Sequence, residues 1–289
     1  MSITSSCMVV NLQIGVWKGY RLDKEASREV TKQNGAHIDA ARVNKHLISK
    51  EALAPVESAA GAVRNHFYTH TLPWKDNGDR VLTRKRFTDF ISSHEALVAK
   101  FDEAADTLVN DTYPQELGKA EFRMGELWKP SDYPRPEELR RRFYVNLDID
   151  AVTTANDFRV ALDEDAAAIV KNGMESAMEQ RLNRAMQDVW GRLSEVVQHF
   201  HDRMAEDGAR FWDTTVTKIA DLVQLLPDLN LTDDPELERI RREVEQHLST
   251  LSPSELRKDP AMRSAAADEA RRIMDDMRGF MAAFGGDAS

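Results

Sequence analysis

LNRAMQDVWGRLSEVVQHFHDRM, Leu182 to Met204, carries its apolar residues in two adjacent columns. Leu182, Ala185, Val189, Leu193, Val196 and Phe200 advance by 3.6 residues per step, and Met186, Trp190, Leu193, Val197, Phe200 and Met204 do the same beside them. A coiled-coil seam advances by about 3.5, whereas two neighbouring columns at the full helical period make the broad stripe of a helix packed in a bundle. The run around them, from Asp163 to about Asp207, has no proline and only Gly173 and Gly191. At 1.5 Å per residue it predicts one helix of about 65 Å.

Downstream every signal is helical. Gly208 offers a break, Phe211 to Leu226 forms a helix that Pro227 stops, and Leu229 to Pro235 is a connection ending in a cap and a proline at the first helical position. A helix from Glu236 to Leu248 follows, then a short one begun by Ser252-Pro253-Ser254-Glu255, then a last one from about Asp259 to Phe284. That last helix carries Ile273, Met274, Met277, Phe280, Met281 and Phe284, an apolar stripe that must dock on something. Methionine-rich faces fill cores and also build adaptable partner surfaces, so Met274, Met277, Phe280 and Met281 are the candidate partner-binding residues.

The N-terminal half is mixed. Val10, Leu12, Ile14 and Val16 alternate with polar residues or glycine, the two-residue period of a half-buried strand over 10–16. Phe143, Val145, Leu147 and Ile149 repeat it over 143–149, and the two runs are natural sheet partners. Asp76-Asn77-Gly78-Asp79 between Trp74 and Val81 marks a hairpin over 72–83. Residues 23–48 are polar and weakly periodic, with a short helix expected around Ile38 to Leu47. Ser49 precedes a helix of about five turns through Ala52, Val56, Ala60, Val63 and Phe67. A second helix runs from Thr83, Tyr113-Pro114 interrupts or kinks it, and a further piece through Leu117, Phe122 and Leu127 ends at Trp128-Lys129-Pro130.

Composition narrows the class. The 289 residues are 42% apolar and 30% charged, with 39 basic and 49 acidic side chains and a formal charge of -10, which argues against non-specific coating of nucleic acid. One cysteine, Cys7, excludes a disulfide framework and a cysteine-based zinc site and fits a reducing compartment, with the cytoplasm as the expected location. No segment approaches the roughly 20 apolar residues that span a bilayer, and the N-terminus lacks the basic region of a signal peptide, so no membrane partner is expected.

No catalytic or cofactor motif is present, and a non-enzymatic protein without a cofactor is the expectation. His199, Asp202 and Glu206 share a helix face at metal-ligand spacing, yet the same residues are what a solvated face looks like. His66 and His70 have the spacing of a zinc-protease helix, but Phe67 stands where that motif has its glutamate base. Neither GxxxxGK[ST], GxGxxG nor G-x-S-x-G occurs. Basic residues cluster at Arg84-Lys85-Arg86 and Arg140-Arg141-Arg142, each beside acids. Three successive helical positions fan out over about 200 degrees and cannot make one stripe alone. A composite patch with Phe87, Phe143 or Tyr144 as stacking neighbours would make the chain a nucleic-acid-binding accessory protein in replication or recombination.

Several stretches together resemble a known family: VNLQIGVWKGYRL from Val10, the LPW…NGDRVL turn from Leu72, SDYPRPEELRRRFYVNLDI from Ser131, the uninterrupted helix, LLPDLNLTDDPELERIRREVEQHL from Leu225 and LRKDPAMRS from Leu256. They resemble an uncharacterised, mostly helical domain-of-unknown-function family of bacteria and tailed bacteriophages. Its members are often encoded near a MoxR-type AAA ATPase and a von Willebrand A-domain protein. The resemblance implies a partner role beside an ATPase chaperone system, in the host cytoplasm if the chain is phage-encoded. It carries no catalytic residue.

The sequence thus predicts a mainly α protein, an elongated helical bundle with one very long helix and a small β-sheet and hairpin in its N-terminal half. Residues 1–156 are expected to form an α+β region and 157–289 an all-helical one. The expected role is that of a scaffold or adaptor acting through a protein partner or self-association.

Overall fold

The computed structural model describes residues 3–154, 164–206 and 214–283. In chain order the elements are a helical turn α1 (Ile3–Ser6), β1 (Cys7–Gly15), β2 (Tyr20–Asp23), α2 (Lys24–Gln33), β3 (Val43–His46), α3 (Lys50–His70), β4 (Leu72–Pro73), β5 (Arg80–Thr83), α4 (Phe87–Thr107), α5 (Tyr113–Met124), α6 (Pro136–Arg140) and β6 (Tyr144–Ala151). Helices α7 (Glu164–Ala205), α8 (Thr214–Leu229), α9 (Pro235–Val244), α10 (Pro253–Lys258) and α11 (Pro260–Ala283) follow. The protein is mainly α, with one helix of 42 residues and a small antiparallel sheet in the N-terminal half.

The chain folds into two units interleaved in sequence: residues 1–11, 70–88 and 149–289 make one, and residues 12–69 and 89–148 the other. All described strands lie before 156 and all described elements after it are helical, but the compact units do not follow that division. The first part of β1 and the 72–83 hairpin offer an apolar face, Cys7, Val9, Leu72, Trp74 and Val81, and it shares one core with α7. Burial joins segments far apart in sequence, and a linear cut cannot follow it.

In the first unit both columns of α7 are buried: Ala185, Val189 and Leu193 on one, Met186, Trp190 and Val197 on the other. They are covered by α8, α9, α11 and the hairpin. The hairpin pairs Leu72 with Val81 and Pro73 with Arg80, and β5 continues onto β1 from Cys7 opposite Thr83 to Val10 opposite Arg80. Helix α8 runs three residues beyond its expected end at Leu226, so Pro227 removes one N–H bond within its last turn without ending it there. Asp234 caps α9 by accepting from the Glu236 and Leu237 N–H groups at 2.9 and 3.3 Å, and Asp259 does the same for α11.

The four-stranded sheet has the order β4-β5-β1-β6, so the two runs read as sheet partners are neighbours. In the second unit Trp17, Leu53, Val56, Phe101, Leu108, Tyr113 and Phe143 share a core. Pro114 does interrupt the helix begun at Phe87: a wide turn over Leu108–Thr112 with i to i+5 bonding precedes it, which absorbs the donor that proline lacks. Residues 38–47 are not a helix. Asp23 instead caps a helix at Lys24–Gln33 by accepting from the Glu25 and Ala26 N–H groups, both at 3.0 Å, and Val43–His46 pairs with β2.

That pairing buries a charge. Lys45 is 5% exposed, with its Nζ 3.0 Å from Asp23 Oδ2, 2.5 Å from Asp132 Oδ2 and 3.1 Å from the Leu127 carbonyl. Burial alone would lower the pKa of this ammonium, but Asp132 and Asp23 outweigh it and hold it above the ordinary lysine value. The Asp23 carboxyl is held below its usual range, first by the Ala26 N–H and then by Lys45. Asp23's contribution to stability is therefore complete above the ordinary carboxylate pKa and lost as pH falls through its lowered folded value. The contribution of Lys45 is complete below the ordinary lysine pKa and lost as pH rises through its raised one.

Lys45→Met leaves two carboxylates without their cation and is expected to cost about 3–5 kcal/mol in denaturant unfolding at neutral pH. The difference from wild type should narrow at both the acid and the alkaline end.

Candidate interaction surfaces

The basic residues singled out from the sequence belong to different units, and each cluster is met by carboxylates within its own. Arg84–Arg86 forms one tight helical turn after β5, and at three residues per turn its side chains diverge. Arg86 Nε lies 2.7 Å from Asp228 Oδ2. Arg84 and Lys85 are exposed at a cleft of about 400 Å³ whose other walls include Ser5, Ser6, Asn230, Asp228 and Asp233, so cations and carboxylates share it.

In the second unit α6 starts at Pro136 with Glu137 and Glu138 in its first turn, and Arg140 sits in its last, where the helix dipole favours a cation. Arg140 is held by Asp102 at 2.8 Å, Asp106 at 2.6 Å and the Phe143 carbonyl at 3.0 Å. Arg141 and Arg142 are exposed and make no ion pair among the described residues. Arg141 lines a cleft of about 650 Å³ with Glu137, Asp106 and Tyr144, again of mixed charge.

The methionine stripe is a correction. Met277 is 1% exposed, and Met274 is buried beside it in the core that contains α7. Phe280 stacks on Trp190 with ring centroids 6.2 Å apart and planes 15° from parallel, and the Arg239 guanidinium lies 5.4 Å from its centroid. The Met281 side chain lies outside the described residues, as does Phe284. Met274, Met277 and Phe280 thus pack in the core that contains α7, not on an open face.

The most exposed large apolar side chain among the described residues is in the second unit. Phe122, near the end of α5, is 97% exposed, and Leu127 beyond it is exposed as well. Arg123 Nη2 donates to the His46 carbonyl at 3.0 Å, which sets this end of α5 against β3. His46 in turn carries the Tyr20 ring edge-on at 6.0 Å. Tyr20 and Leu22 stand on the outer face of β2 and are both exposed. Their inward neighbours on the paired strands, Asp23 and Lys45, belong to the buried charge cluster, so the ion pairs that fix this small sheet also hold its apolar face outward.

The 199–206 face does not gather its carboxylates around His199. Asp202 accepts from Gln198 at 2.7 Å and pairs with His201 Nδ1 at 3.0 Å, which holds its carboxyl below the usual range, while Glu206 meets Arg203. Among the described residues no group of three histidine, cysteine or acidic side chains is arranged to hold a metal ion. His66 stacks on Phe90 at 4.8 Å, and Phe90 on His94 at 5.6 Å. No described helix is long and apolar enough to cross a membrane.

No family model, curated protein or solved structure matches the chain.

Met277→Ala should behave as a core truncation, lowering unfolding free energy by about 2–5 kcal/mol in denaturant titration. A change of less than about 0.5 kcal/mol would place Met277 on a surface instead.

Proposed function

We propose that the chain is a non-enzymatic scaffold or adaptor that acts by binding protein. The observation that carries this reading is a set of exposed apolar side chains on the second unit, Phe122 and Leu127 at and beyond the end of α5 and Tyr20 and Leu22 on the outer face of β2. A scattered exposed leucine needs no explanation, but an almost fully exposed phenylalanine on the same unit as an outward aromatic-aliphatic sheet face has the composition of an interface core. The family that the chain resembles supplies the setting, a bacterial or phage protein in the cytoplasm. It also supplies the kind of partner, an AAA ATPase system of the MoxR type.

A second reading is nucleic-acid binding. Arg84, Lys85, Arg141 and Arg142 are exposed cations without an ion pair among the described residues, and Tyr144 stands beside Arg141 as a stacking surface. A gel shift at low salt, where phosphate contacts are strongest, decides it: no shift there removes the reading.

Phe122→Asp should leave the unfolding free energy within about 0.5 kcal/mol of wild type, because the side chain packs on little. It should weaken a captured protein partner at least about tenfold in affinity capture and titration, as loss of an aromatic anchor does. Equal capture by wild type and variant would remove this surface from the proposal.

A further inference from the structure

The two edges of the four-stranded sheet are treated differently. One edge, β4, is two residues long and ends in Pro73, so it offers another chain almost nothing to pair with. The other edge, β6, is eight residues long and contains no proline, glycine or lysine. Among the described residues its one strand neighbour is β1. Tyr144, Asn146, Asp148, Ile149, Asp150 and Ala151 are all exposed, so no other described part of the chain covers them. On a strand with a neighbour on one side only, about half of the backbone N–H and C=O groups point to the open side.

The sequence of β6 is complementary to itself when run antiparallel. Centred on Leu147, it meets a second copy with Val145 opposite the partner's Ile149 and Leu147 opposite the partner's Leu147, which continues the apolar row across the junction. On the other face Asn146 comes opposite the partner's Asp148, an amide donor to a carboxylate, and Tyr144 opposite the partner's Asp150. No carboxylate faces another. Centring on Asp148 sets the two Asp148 carboxylates against each other, and centring on Asn146 leaves Ile149 and Asp150 beyond the end of the copy's strand. A shift of one residue puts the apolar row of one strand on the polar face of the other. The acidic residues that would discourage an unrelated strand thus select one register with a second copy.

We infer that β6 is a self-association edge, which pairs antiparallel with β6 of a second copy about a two-fold axis at Leu147 and joins the two four-stranded sheets into one. The inference deepens the interaction reading by naming a second copy as a partner, but it uses a different surface from Phe122, so the two stand or fall apart.

Cysteine cross-linking on the full chain tests it. The native Cys7 is buried, and burial pushes its thiol up to about 11, so it stays silent under mild oxidation. Leu147→Cys places two thiols at the axis and is expected to give a disulfide-linked dimer. Asp150→Cys, whose copies stand about 20 Å apart in this register, is expected to stay monomeric. Asn146→Asp, on the exposed face, keeps the fold and sets two pairs of carboxylates opposite each other, which should raise the dimer dissociation constant about fivefold in sedimentation equilibrium. Cross-linking of Asp150→Cys as readily as Leu147→Cys would overturn the register, and no cross-link from Leu147→Cys would overturn the edge. Phe122→Asp combined with Leu147→Cys separates the two surfaces. A cross-link that persists supports pairing at β6, and one that vanishes assigns self-association to the Phe122 surface and overturns the inference.

Discussion

A helix of 42 residues with two apolar columns can exist in water only if both columns are covered, and the first unit is organised around that requirement. Each large apolar side chain removed from water contributes about 1.5–3 kcal/mol, so Met186, Trp190, Leu193, Val197 and Phe200 together outweigh any surface interaction in the chain. Covering them takes α8, α9, α11 and a hairpin from much earlier in the sequence. The methionines of α11 and the apolar face of the hairpin are the complement of α7. They are held internally for that reason and are removed from the list of possible docking surfaces.

The second unit is built on a different constraint. Its two-stranded sheet is too small to cover a core on one face and water on the other with apolar residues alone. The inward position of β3 is a lysine, fixed by Asp23 from the same sheet and Asp132 from the segment before α6. A buried cation with two carboxylates specifies geometry better than an apolar contact does, because removing any partner leaves an uncompensated charge. The same alternation that turns Lys45 inward turns Tyr20, Leu22 and His46 outward, so the chemistry that locks the sheet also exposes an apolar face.

How much of this could be read from the sequence depends on the kind of signal. The period of α7, the alternation in β1 and β6, the Asn77-Gly78 hairpin and the helix starts at Pro235 and Pro253 are local patterns with local causes, and each names its element correctly. Residues 23–48 were opaque because their strand buries a lysine, which hides the period-two signal. The compact units do not follow the division at 156, because contact, not chain order, decides which strand packs on which helix. Leu117, Phe122 and Leu127 were read as one helical piece, but steps of five residues rotate by about 140 degrees and never return to one face, so exposure of Phe122 was implicit in the spacing. A methionine stripe reads the same whether its cover is internal or external. Only the fold distinguishes the two, and it assigns Met274 and Met277 to the interior.

The central claim is that the C-terminal apolar stripe is core while association belongs to surfaces elsewhere. Hydrogen exchange of the full chain, recorded residue by residue across a dilution series, tests it directly. The account predicts amides of Ala266 to Met277 that exchange slowly at every concentration, and amides on the open side of β6, between Tyr144 and Asp150, that gain protection only as the protein is concentrated. Protection that rises with concentration along α11 while β6 stays unchanged would contradict it.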